Sequence, residues 1–144
     1  MTSIDSTDQR PSSNAAAATR DGITHPVARP FLLGDAVLTG VNGLAYLAAA
    51  PLLADWFGAP TTLLRPIGAF LVVVGLGVAL LARQRPISRR GVLTLALLNA
   101  VWVAASVDYA VAGDLTTLGT TWTVLQAAIV GGFAAGQVWF ARRG

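Results

Sequence analysis

The chain has 144 residues, of which 54% are hydrophobic and only 12% charged, about half the charged share of an ordinary soluble domain. It has no Cys, which excludes disulfides, thiolate nucleophiles and Cys-ligated metals. The net charge of +3 comes without any basic stripe interleaved with aromatics, so nucleic acid is not an expected partner.

Residues 1–29 are rich in Ser, Thr, Ala, Asp and Pro and show no apolar periodicity. They read as a disordered cytoplasmic tail. No apolar stretch follows a basic start near Met1, so a signal peptide is not expected. Residues 30–144 form the second unit, with four apolar runs at about 31–54, 61–82, 91–112 and 118–141. Each run is long enough to cross a bilayer, which takes about 20 helical residues. Mean hydropathy is +0.62, and too few amphipathic segments remain to cover four buried helices in water. The expected fold is therefore all-α: a polytopic four-transmembrane-helix bundle whose first partner is the lipid bilayer.

The first run carries Asp35, Asn42 and Tyr46 on one stripe, with Thr39 close by. Asp35 lies about a turn inside the boundary, where solvent or a loop arginine can answer its charge. Pro51 is expected to kink the end of this helix. In the second run Arg65, Gly68, Val72, Gly75 and Ala79 share a face, and Pro66 falls in the first turn or bends the helix. The third run has Ala96, Ala100 and Ala104 at four-residue spacing, with Asp108 next in the series and Asn99 near the depth of Asn42. The fourth has Gly132 and Gly136 in a GxxxG. Small residues at this spacing let backbones approach in lipid, and the face serves either packing within the chain or a dimer. Gln126 and Gln137 are eleven residues apart and so share a face. Intramembrane amides fasten helices, at about 0.6 kcal/mol each, or line a pathway.

Arginine placement sets the orientation. Arg10, Arg20, Arg29, Arg83, Arg85, Arg89, Arg90, Arg142 and Arg143 flank one side of a four-span chain, and only Arg65 lies on the other, with Asp55 and Asp114. Both termini are expected in the cytoplasm. Trp56 and Trp122 then mark the outer interface and Trp139 the inner one. Arg65 lies 22 residues before Ile87, in the middle of the second loop, and Asp108 lies 21 after it. In a helical hairpin they stand at one height. Charges at membrane depth are costly unless paired. The pair is expected to form a salt bridge that locks the hairpin, or to bind an anion or move a proton.

The two halves carry a weak repeat. Asn42 with Ala45 and Tyr46 precedes Thr61-Thr62-Leu63, and Asn99 with Ala104 and Ala105 precedes Thr116-Thr117-Leu118. Two such two-helix units would form a parallel repeat. The segments Leu98-Asn99-Ala100-Val101-Trp102-Val103-Ala104-Ala105-Ser106, Gly43-Leu44-Ala45-Tyr46-Leu47-Ala48-Ala49 and Arg65-Pro66-Ile67-Gly68 resemble a group of small bacterial four-span membrane proteins. The resemblance covers about residues 31–143 and implies a fold without a particular chemistry. The arginine-only basic set, with no Lys and no Glu, suggests a GC-rich bacterial genome.

No span contains His, Cys or Met, so haem and other cofactors are not expected. Asp and Tyr are the only acid–base candidates within the spans, which argues against an enzyme. The reading that follows is an accessory or scaffold subunit that packs with a membrane partner or with its own copies. The alternative is a small oligomeric transporter or channel using intramembrane Asp and Arg.

Overall fold

A computed structural model describes residues 22–144. It consists of strand β1 (Gly22–Ile23), helix α1 (Ala28–Ala48), short helix α2 (Ala50–Phe57), α3 (Thr61–Arg83), strand β2 (Ile87–Ser88), α4 (Arg89–Ala112) and α5 (Thr117–Arg143). Helices α1, α3, α4 and α5 are long and apolar enough to cross a membrane. Their surfaces carry exposed apolar side chains such as Val37, Val73, Leu97 and Val111, which lipid covers at no cost. The fold is all-α with four spans, as expected.

The first span departs from the expected 31–54 run. The helix breaks at Ala49, with φ −112° and ψ 20°, and restarts as α2 with Pro51 in its first turn. A proline there loses nothing, because a first-turn N–H has no helical acceptor. Gly58 ends α2 at φ 73°, a left-handed conformation that residues with a Cβ adopt only under strain. Pro66 lies inside α3 rather than in its first turn. Ser88 and Thr116 cap α4 and α5, their side chains accepting from the backbone N–H of Gly91 and Gly119.

The described part of the expected tail is structured. Gly22–Ile23 pairs antiparallel with Ile87–Ser88, Ile23 is buried, and α1 begins at Ala28. The rest of the expected tail, with Arg10 and Arg20, lies outside the described residues. Strand pairing satisfies backbone groups that the turn before α4 would otherwise leave open.

The four spans form two tight antiparallel pairs, α1 with α3 and α4 with α5. In the first pair backbones touch. A Cβ on Gly43 would lie 2.7 Å from the Gly68 carbonyl oxygen, and one on Gly68 would lie 2.8 Å from that of Gly43. Only glycine permits this approach, the device expected between helices in lipid. The expected face of α3 is therefore correct at Gly68 and Gly75, which are buried, but Arg65 on that face is exposed.

The two pairs are fastened to each other at their ends. On the side of the arginine-rich loop, the Thr24 N–H donates to the Gly144 carbonyl, while within the first pair an Arg29 guanidinium N–H donates to the Gln84 carbonyl. On the far side, the Thr116 N–H donates to the Phe57 carbonyl at 3.0 Å, and Gly119 lies directly against that carbonyl. The buried apolar residues correspondingly form two clusters. One contains Ile23, Leu32, Val78, Ile87, Val92 and Phe140. The other contains Tyr46, Phe57, Leu64 and Leu71.

Two expected packing faces are corrected. On α4, Ala96 is buried but Ala100 and Ala104 are exposed, because a stripe at four-residue spacing drifts about 40° around the helix at each step. On α5, Gly136 seats the Phe31 ring, whereas a Cβ on Gly132 would meet nothing within 4 Å. The GxxxG does not act as one intramolecular face. Gly43→Val is expected to destabilise the protein by about 1–3 kcal/mol through overpacking. Gly77→Val, at a position open on all sides, is expected to have no such effect. Unfolding titrations in mixed micelles distinguish the two.

Candidate functional site

The polar residues of α1 and α5 meet in a ladder. Asp35, Asn42 and Tyr46 are spaced seven and four residues apart, which keeps them on one helical face. Trp122, Gln126 and Gln137 are spaced four and eleven apart on α5, again one face. The helices are antiparallel, so Asp35 meets Gln137, Asn42 meets Gln126, and Tyr46 meets Gln126 and Trp122.

The inner rung is buried and closed. The Gln137 amide donates to Asp35 Oδ2 at 2.6 Å, the Asn99 amide reaches the same oxygen at 3.4 Å, and Thr39 Oγ1 donates to Asp35 Oδ1 at 3.0 Å. Asn99 also donates to Gln137 Oε1 at 3.1 Å. Asp35, Asn99 and Gln137 are 2%, 8% and 0% exposed. Burying a carboxyl is tolerable only when its oxygens find donors; here the donors are neutral side chains. The expectation that Asp35 is solvated or paired with a loop arginine is corrected. Asn99, expected at the depth of Asn42, joins Asp35 instead, because α4 reaches α1 at the inner rung.

The outer rung is a chain of side chains. The Asn42 amide donates to Gln126 Oε1 at 2.9 Å, the Gln126 amide donates to the Tyr46 hydroxyl oxygen at 2.6 Å, and the Trp122 indole N–H donates to that same oxygen at 3.0 Å. Trp122 was expected at the outer interface, but its N–H is used inside. Phe57 stacks on Trp122 with ring centroids 6.0 Å apart.

Between the rungs and the outer fastening the two pairs stand apart, and a cleft opens in two lobes. The larger, of about 550 Å³, is lined by Leu38, Thr39, Asn42, Tyr46, Trp122 and Phe133 among others. The smaller, of about 360 Å³, is lined by residues that include Leu64, Ile67, Ser106, Asp108 and Tyr109. Tyr46, Phe57, Trp102 and Gln126 line both lobes. The Tyr46–Gln126 bond is thus a pillar between them.

Arg65 and Asp108 are not a pair. Both are exposed, and only Asp108 lines the cleft. Equal height in a hairpin fixes one coordinate and leaves the direction around each helix free. Of the residues singled out from sequence, the structure brings together Asp35 with Asn99, and Asn42 with Tyr46 and Gln126. It leaves Arg65, Ala100, Ala104 and Gly132 on open surfaces. Trp102, Trp122 and Phe57 were missed as cleft residues; Trp122 could have been found from its four-residue spacing to Gln126. Among the described residues no three His, Cys, Asp or Glu side chains gather to hold a metal ion.

Comparisons with family models, with curated proteins and with solved structures find no match for this chain.

Gln137→Leu removes a donor from Asp35 and an acceptor from Asn99, and is expected to lower stability by about 1–3 kcal/mol. Asp35→Asn is expected to cost less, since the Thr39 hydroxyl can reverse from donor to acceptor. Chemical unfolding of the two variants tests this ranking. Arg65→Ala and Asp108→Ala are expected to add, with a coupling below about 0.5 kcal/mol in a double-mutant cycle.

Proposed function

We propose that this chain is a non-catalytic integral membrane protein of a bacterial cytoplasmic membrane, an accessory or scaffold subunit that packs with a membrane partner or with its own copies. The observation that carries the reading is the closed inner rung. Asp35, the one buried carboxyl among the described residues, is bonded on both oxygens and enclosed. General acid–base chemistry needs a group within reach of a substrate, and ion passage needs one that exchanges its partners. Asp35 serves instead to hold the two helical pairs together.

The outward surfaces support a partner. Ala100 and Ala104 are exposed and Gly132 meets nothing, so α4 and α5 present small residues where another backbone can approach closely. Sidedness follows from charge. Arg29, Arg83, Arg85, Arg89, Arg90, Arg142 and Arg143 lie at one end of the bundle and Arg65 at the other. The positive-inside tendency puts that first end, with both termini, in the cytoplasm.

A second reading, a small oligomeric transporter, draws on Thr39. This residue lines the larger lobe and also donates to Asp35, so it joins a lipid-side space to a buried carboxyl.

Purification from native membranes in mild detergent, after cross-linking, is expected to yield a stoichiometric membrane partner or a homo-oligomer. A homo-oligomer without another partner that carries a solute flux, lost in Asp35→Asn at unchanged expression, would replace this reading with the transporter. Because the chain lacks Cys, single cysteines report sidedness cleanly. Asp114→Cys is expected to react with an impermeant maleimide in intact cells, and Ser88→Cys only after lysis.

A further inference from the structure

The cleft has a chemistry of its own that the closed inner rung does not share. The outer rung, Asn42, Gln126, Tyr46 and Trp122, carries six polar hydrogens: two on each amide, one on the phenol and one on the indole. Its three mutual bonds use three of them. Three donors are left over, and this surplus stays the same if both amides are turned over. Tyr46 is 7% exposed and Asn42 and Gln126 are half-buried, so the spare donors face the cleft or the core rather than water. Hydrocarbon offers them no acceptor.

The walls define the rest of the ligand. Tyr46, Trp56, Phe57, Trp102, Trp122 and Phe133 surround the larger lobe, and no ionised side chain lines it. An anion would find no counter-charge there. Leu38, Val41 and Ile129 on its rim are 54%, 61% and 45% exposed, so the lobe opens sideways, toward the acyl chains. Its size falls within the range of small-molecule sites, about 300–1,000 Å³. Donor bonds from Gln126 and Trp122 to the Tyr46 oxygen also polarise its O–H and strengthen it as a donor.

We propose that the cleft is a binding site for a neutral, bilayer-soluble molecule that carries a carbonyl oxygen on an apolar body. The carbonyl accepts from the outer rung at Tyr46, and the body fills the aromatic-walled lobe. Two sources share this chemistry, the ester carbonyl of a glycerolipid and the ring carbonyl of a lipophilic quinone. The site goes beyond the scaffold reading and does not rest on it, because binding to the isolated chain is scored separately from partner capture.

The test is thermal unfolding of the full-length protein, delipidated in a maltoside detergent, titrated with three probes. Dioctanoylglycerol supplies ester carbonyls, decylubiquinone supplies ring carbonyls, and hexadecane supplies none. At least one carbonyl probe is expected to raise Tm saturably, by about 5 °C at saturation, and hexadecane is not. The responding probe identifies the source. Tyr46→Phe should weaken that probe about tenfold, the equivalent of one hydrogen bond. Ala45→Phe, which fills the larger lobe from a position outside the rung, should abolish the shift. The proposal is overturned if neither carbonyl probe acts, if hexadecane acts equally, or if Ala45→Phe leaves the shift intact. The last outcome decides the matter even if Tyr46→Phe does not fold.

Discussion

Everything in this molecule depends on one constraint: inside hydrocarbon, a polar group finds its hydrogen-bond partner within the protein or not at all. Helix formation settles the backbone. It leaves the side chains of Asp35, Asn42, Tyr46, Asn99, Trp122, Gln126 and Gln137 to settle with one another. They do so across a single interface, between α1 and α5 with Asn99 reaching in from α4, and no buried side-chain nitrogen or oxygen among the described residues lacks a partner. That mutual need, rather than any hydrophobic force, selects how one helical pair faces the other. Lipid is as apolar as Leu and gives no reason for apolar faces to meet.

The chain therefore uses two kinds of helix contact. Within the α1–α3 pair it is backbone on backbone through Gly43, Gly68 and Gly75. The attraction there is dispersion summed over a close fit. Between the pairs it is long side chains bonded tip to tip, and the backbones meet only at the two ends. A glutamine laid end to end with an asparagine cannot bring two helices as close as two glycines can. The gap this leaves is filled by rings at its outer end and is otherwise the cleft.

Much of this was legible from the sequence, and the misses share one physical cause. Hydrophobic length fixed the four spans because the bilayer sets a scale. Helical periodicity placed Asp35, Asn42 and Tyr46 on one stripe and Gln126 and Gln137 on another, and both stripes proved to face each other. Pro51 marked a real interruption, though one that restarts as α2. What periodicity cannot supply is which stripe meets which. Arg65 and Asp108 were matched by height alone, yet α3 presents Gly68 and Gly75 to α1 and leaves Arg65 outside. Asp35 was expected to meet solvent or a loop arginine because its depth is shallow. Depth says nothing of the β1–β2 pairing and the Phe140 cluster that seal that end. Those contacts join residues more than sixty positions apart, and no local pattern encodes them.

The ladder does more than fasten. Its rungs differ in balance. The inner rung matches acceptors on Asp35 to donors on Thr39, Asn99 and Gln137, and its four bonds use four of five polar hydrogens. The outer rung keeps two amides and has a phenol and an indole, each bringing a hydrogen, where the inner rung has a carboxylate and a hydroxyl. A rung made this way cannot saturate its own donors, whatever the rotamers. Two rungs of similar size on the same pair of helices thus end differently. One leaves a single donor in a buried setting, and the other leaves three beside a cleft that the same side chains line. The residue types at Asn42, Tyr46, Trp122 and Gln126 set both the width of the cleft and the polarity of what can enter it.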